Sequence, residues 1–333
     1  MPTGNPMRPL RALAIFTVVV FGGGALLAPW LYWLAQAVAP GSHLAGNPFH
    51  RFVHRSLLGL ALAGIWPLLR SLGATSWRDV GLVNPRAEWR RIGAGFALGF
   101  GSLAVAATIA LASHERELDK SLAATRVASK LLGAIGTAVI VSVLEEILFR
   151  GAIFGGLRKI WDWRLALIAS SAIYGIVHFI GSAEPAGPIT WTSGIQVLPR
   201  MLRGFADWQM IVPGFFNLTL AGGMLALAYQ RTGNLYLSMG LHAGWIFWRS
   251  AYGTLTTEAP SGNIWLFGTS KLTDGWLALL VLGLAFVVLV RLLGPAKSFQ
   301  SCSSSSSSSS PNREDRTEDE DEDEDEHDNC SMQ

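Results

Sequence analysis

Two adjacent carboxylates, Glu145 and Glu146, stand inside the apolar run AIGTAVIVSVLEEILFRGAIFGGL, with Arg150 four residues beyond the second. An ionised side chain at the centre of a bilayer costs roughly 3 kcal/mol on insertion scales, so such a residue marks a function by default. The chain has seven histidines, and only His178 and His242 lie in apolar runs, SSAIYGIVHFIG and YLSMGLHAGWIFW. Two carboxylates, a guanidinium and two imidazoles, carried on three separate apolar segments, make a set suited to hydrolysis. A carboxylate among apolar neighbours can act as a general base toward water. Imidazoles beside it can hold that water, or coordinate a metal that activates it.

Helix geometry separates the two glutamates, because successive residues point about 100° apart. Glu146 and Arg150 are at i,i+4, the spacing at which side chains meet. Arg150 is therefore expected to neutralise and orient Glu146, leaving Glu145 free to work. Each feature also has a simpler structural reading. A Glu–Arg pair can bridge helices, and a lone intramembrane histidine can be a helix-contact hydrogen bond. Five costly residues kept in a membrane for unrelated reasons is the weaker account.

The elements that must position them are membrane helices. Half of the residues are hydrophobic and only 15% are charged, too apolar a balance for an ordinary soluble domain. Eight apolar segments approach or reach bilayer-spanning length, near 13–36, 56–72, 92–113, 131–157, 163–181, 210–230, 234–250 and 274–293. The first reads as an uncleaved span. Alternating the spans puts 13 Lys and Arg on the side of the amino terminus and 10 on the other, so that side, with both termini, is predicted to be cytoplasmic. The stretch 75–91, with Trp77 and Trp89 among arginines, reads as interfacial. The stretch 183–209 is a long Gly- and Pro-containing connection, either external or dipping into the membrane edge. From Ser298 onward the tail has eight consecutive serines and twelve acids against two cations. Such a composition cannot bury enough surface to fold. Both cysteines, Cys302 and Cys330, lie in this tail, so the body has no disulfide framework and no cysteine-based zinc site.

Soluble-enzyme motifs offer no competing reading. His114-Glu115-Arg116-Glu117-Leu118 begins like HExxH but lacks the second histidine, and reads as a solvated charged loop. The glycines at 22–24, and Gly93 and Gly95, fall within spans and read as helix-packing faces. A phosphate loop would need a preceding strand and a lysine after the last glycine.

Glu145-Glu146-Ile147-Leu148-Phe149-Arg150-Gly151 resembles the EExxxR motif of the CAAX-protease and bacteriocin-processing (abortive infection) intramembrane proteases, which include the type 2 CAAX prenyl endopeptidases. Their FxxxH motif corresponds to Tyr174-Gly175-Ile176-Val177-His178, with Tyr for Phe. Their HxxxN motif corresponds to His242-Ala243-Gly244-Trp245-Ile246, with Ile246 for Asn. The resemblance covers roughly 125–252 and keeps the motif order. It implies peptide-bond hydrolysis within the membrane. Glu145 and His178 would activate water, His242 would bind the oxyanion or a metal, and Glu146 and Arg150 would support them. A Zn2+ ion is compatible, with Glu145, His178 and His242 as its ligands, and the metal requirement stays open. Losing an oxyanion donor costs on the order of 100-fold in rate, so Ile246 calls for a substitute or implies reduced activity. Asn217 is one substitute, although its simpler reading is an interhelical hydrogen bond.

The expectation is an all-α polytopic bundle of about eight spans. It divides into amino-terminal helices (1–124), a CAAX-protease-like core (125–252), a last span (253–297) and a disordered acidic tail (298–333). The function expected is an intramembrane endopeptidase acting on a membrane-anchored peptide or protein, in the plasma or inner membrane if the source is bacterial. Its partners are lipid and that substrate, with no nucleic acid. One alternative is an inactive relative serving as an immunity or scaffolding protein. A proton-coupled transporter would favour inverted repeats, and none is found. The terminal Cys330-Ser331-Met332-Gln333 has the form of a prenylation box, but the residues before it are acidic and it reads as chance. For the Glu145 and His178 side chains to meet, the Glu-bearing helix must run to about 157 and tilt.

Overall fold

The computed structural model describes residues 7–259 and 262–294. The expectations for the tail, including Cys302 and Cys330, lie outside the described residues. Within them the fold is a helical bundle: α1 (Met7–Val38), α2 (Phe49–Ser71), α3 (Pro85–Ala112), α4 (Ala124–Leu157), α5 (Trp163–Val177), α6 (Ser193–Met201), α7 (Trp208–Thr232), α8 (Tyr236–Leu255) and α9 (Trp276–Leu293). All eight apolar segments are helical. Six helices are long and apolar enough to cross a membrane, counting α3 together with the turn before it: α1, α2, α3, α4, α7 and α9. The chain is an integral membrane protein.

The other two differ from the expected spans for physical reasons. α5 stops at Val177, leaving His178 as its C-cap, so it has 15 residues where the sequence suggested a run to 181. α8 is long enough, but it carries Ser238, His242 and Arg249 and most of its residues are buried. A helix surrounded by other helices has no need of a lipid-facing apolar surface.

Local signals start and stop the helices. Asn84 accepts a hydrogen bond from Arg86 N, and Pro85 occupies the first position of α3. Asp162 caps α5 and Asp207 caps α7 in the same way. Gly81 is at φ +86°, a Cβ on it would stand 2.9 Å from Asn234 Cα, and its carbonyl accepts from Leu235 N at 3.1 Å. Only a residue without Cβ takes both that dihedral and that approach.

The connections gather at two ends. Lys159 Nζ donates to the Leu72 carbonyl, and Arg231 Nη1 donates to Gly294 O at 3.0 Å. At the other end His50 meets Glu184, and Asn263 N donates to Glu115. There too β1 (Arg116–Leu118) pairs antiparallel with β2 (Thr256–Glu258). The connections thus alternate between two ends of the bundle, with α6 lying at one of them.

Two sequence expectations are corrected here. The 114–118 segment is not a purely solvated loop. Arg116 is buried, donating from Nε to Thr256 Oγ1 at 2.8 Å and from Nη2 to Thr256 O at 3.1 Å. The 183–209 connection contains α6, whose Val197 and Met201 bury against Ala28, Phe49 and Val53.

The most extensive helix contact is α3 on α8. Gly95 and Gly99 press against the backbone at Leu237 and Leu241, while Gly240 and Gly244 press against the backbone at Ile92, Phe96, Gly99 and Phe100. Two small-xxx-small faces thus pack onto each other, the arrangement that lets helix backbones approach within a bilayer. Gly95 belongs to this face as the sequence suggested; Gly93 has open space around it. The seam sets the depth and rotation of α8, and with them the position of His242.

Candidate active site

Three helices bring the five residues together. α4 is α-helical through Glu146 and π-helical from Ile147 to Phe154; such π segments are frequent at functional sites. It starts at 124, seven residues earlier than expected, and runs on to 157. The long helix carries Glu145 to the level of His178 at the end of α5.

Glu146 and Arg150 are buried. Arg150 Nη1 donates to Glu146 Oε1 at 3.0 Å, and its Nη2 donates to the Gly222 carbonyl of α7 at 3.2 Å. The guanidinium carbon also lies 4.7 Å from the centre of the Tyr174 ring, a cation–π contact strengthened by burial. Glu146 Oε1 has a second partner, His242 Nδ1 at 2.9 Å. With Nδ1–H donating to the carboxylate, the His242 ring is held in one orientation and presents Nε2 to the site.

His178 is oriented by the same device. Its Nδ1 donates to the Tyr174 carbonyl at 2.8 Å, leaving Nε2 pointing inward. Glu145 Oε2 lies 3.8 Å from His178 Nε2 and 3.6 Å from His242 Nε2. It is a buried oxygen with no hydrogen-bond partner. The three side chains line a cavity of about 300 Å³, shared with Tyr174, Asn217, Ile246 and Arg249.

In the motif Tyr174 stands where the family has Phe, which carries no hydroxyl. The structure gives its hydroxyl a contact with His242 Nε2 at 3.1 Å. The signal was available in the i,i+4 spacing to His178, but the approach of α5 to α8 was not. Asn217 has both amide hydrogens engaged, on Thr273 O at 3.0 Å and Gly275 O at 2.8 Å. It ties α7 to the start of α9, as the simpler reading held, and has no donor left for the cavity.

The donor types fit a metal: one carboxylate oxygen and two imidazole Nε2 atoms, each imidazole anchored through Nδ1 on an acceptor. The spacing is wider. Tetrahedral zinc ligands stand about 3.4 Å apart for bonds near 2.1 Å, and among the described residues no three of His, Cys, Asp or Glu form a metal-binding group.

Residues 127–248 match the family profile described as Type II CAAX prenyl endopeptidase Rce1-like. Searches of curated proteins and of solved structures gave no match. The matched stretch contains every residue of the cluster, from Glu145 on α4 to His242 on α8, and supports a likeness of this part of the chain to the CAAX-protease and bacteriocin-processing family.

Proposed function

We propose that the protein is an intramembrane endopeptidase that hydrolyses a peptide bond of a membrane-associated peptide or protein. The observation that carries the reading is Glu145 Oε2, buried, unpartnered and set between two imidazole nitrogens. A carboxylate oxygen left without a partner among helices is costly, and its natural occupant is a water molecule.

In this reading Glu145 accepts a proton from that water while His178 Nε2 holds it. The water oxygen bonds to the scissile carbonyl carbon, and the carbonyl electron pair moves onto oxygen. His242, backed by the Glu146 carboxylate, stabilises the resulting oxyanion from Nε2. Glu145 returns the proton to the leaving nitrogen as the C–N bond breaks. Arg150 pairs with Glu146 and keeps it in place. Glu145, His178 and His242 would have to draw closer than they stand to hold a zinc ion, whose chemistry there would be Lewis-acid polarisation of the carbonyl. Both termini and the arginine-rich 73–91 connection are assigned to the cytoplasmic side.

The test is cleavage of membrane-anchored peptide pools by purified protein beside Glu145→Gln, with and without chelator. Loss of the general base should lower kcat at least about 100-fold. A chelator-sensitive wild type indicates the metal form. One feature favours an inactive relative serving as an immunity or scaffolding protein: Ile246 presents a hydrocarbon surface to the cavity. On that reading E145Q leaves the cellular phenotype intact and neither protein cleaves.

A further inference from the structure

We propose that the Tyr174 hydroxyl is the second oxyanion donor of the site, an inference that rests on the endopeptidase reading. It follows from counting the hydrogen-bond donors around the cavity. Asn217 has committed both amide hydrogens. Trp245 Nε1 donates to Ser102 Oγ at 3.0 Å. Thr137 Oγ1 donates to Gly133 O at 2.9 Å. Arg249 and Ser250 stand seven and eight residues beyond His242 on α8, roughly 11–12 Å along the axis. Ile246, one turn from His242, donates nothing.

That leaves Tyr174, Thr273 just before α9 and the two imidazoles beside Glu145; of the two hydroxyls, Tyr174's is the one in contact with His242. The hydroxyl is 3.1 Å from His242 Nε2, its one recorded partner, and the side chain lines the cavity. A phenol carries one donor and two acceptor sites, so when His242 bears hydrogen on both ring nitrogens the hydroxyl accepts from Nε2 and donates its own hydrogen onward. The chain Arg150–Glu146–His242–Tyr174 then ends in an O–H aimed at the place where negative charge develops. The ring is fixed on three sides, by Phe149 at 4.9 Å between centres, His178 at 4.3 Å and the Arg150 guanidinium at 4.7 Å. A donor held this way needs no reorganisation during the reaction, the condition under which such a group contributes most.

The experiment compares wild type, Tyr174→Phe, Tyr174→Phe with Ile246→Asn, and Glu145→Gln in proteoliposomes with one cleaved peptide. Melting temperature is recorded for each. Y174F should lower kcat about 100-fold with KM and melting temperature nearly unchanged. Ile246→Asn, placing an amide one turn from His242 on the same wall, should recover about tenfold or more of that loss, because it restores one donor. Undiminished kcat in Y174F overturns the proposal. So does a fall in kcat that accompanies a lower melting temperature and is not recovered by the amide, which would mark the hydroxyl as a brace for His242. Wild type no more active than E145Q removes the endopeptidase reading, and this inference with it; an active wild type with an equally active Y174F removes this inference alone.

Discussion

Glu146 and Arg150 form an ion pair in surroundings with almost no water, and each has a second anchor, His242 and the Gly222 carbonyl. Removing one partner strands the other charge, a loss of about 3–5 kcal/mol for buried pairs. Arg150→Met is therefore expected to lower stability by that order in reversible unfolding. The double variant Glu146→Gln/Arg150→Met should recover much of it. Activity should stay low in both: in the single variant Glu146 loses the guanidinium that holds it, and in the double variant His242 loses its carboxylate. The five polar residues were legible in the sequence because hydrocarbon makes them conspicuous. The pairing of Glu146 with Arg150 was legible because helical spacing is local. The contact of Tyr174 with His242 was not, since it joins residues on α5 and α8 whose approach is set by neighbouring helices.

The α3–α8 seam positions His242 without touching it. A Cβ at Gly244 would stand 2.8 Å from both Gly99 C and Phe96 O, and helix backbone cannot step aside as a side-chain tip can. Gly244→Leu should spread the two helices, costing about 1–3 kcal/mol. Displacement of the catalytic group by about 1 Å can cost 100-fold in rate, so peptide cleavage should fall further than stability alone implies. Gly101 on α3 has open space around it, and Gly101→Leu is the matched control, predicted neutral in both assays. Helices were readable from hydropathy because lipid imposes length and apolarity on any exposed segment. The elements that went unread are those lipid does not govern. α6 has nine residues, and each strand of the ribbon has three and finds its partner some 140 residues away.

For the molecule as a whole, the contacts between connections fix which loops share an end, and the excess of arginine and lysine is the ground on which that end is proposed to be cytoplasmic. In a chain with both native cysteines replaced, a cysteine at Ser76 should be unreactive to an impermeant maleimide from outside intact cells. A cysteine at Ser121 should label. The reverse pattern would invert the orientation while leaving the site geometry untouched. The family profile spans the site-bearing helices α4, α5, α7 and most of α8, while α3 and α9 pack around them in one core with Leu103, Leu282 and Leu289.

The brevity of α5 bears on how a buried hydrolase obtains its co-substrate. Fifteen residues of α-helix extend about 22 Å, short of a hydrocarbon layer of about 30 Å. The helix ends at His178, so where α5 runs out the lipid must thin or polar backbone must take its place. Either outcome carries hydration down to the imidazole. In the hydrolytic reading the truncated helix is a well sunk from the surface, and the solvent that reaches its floor would be the reagent the proposed chemistry consumes.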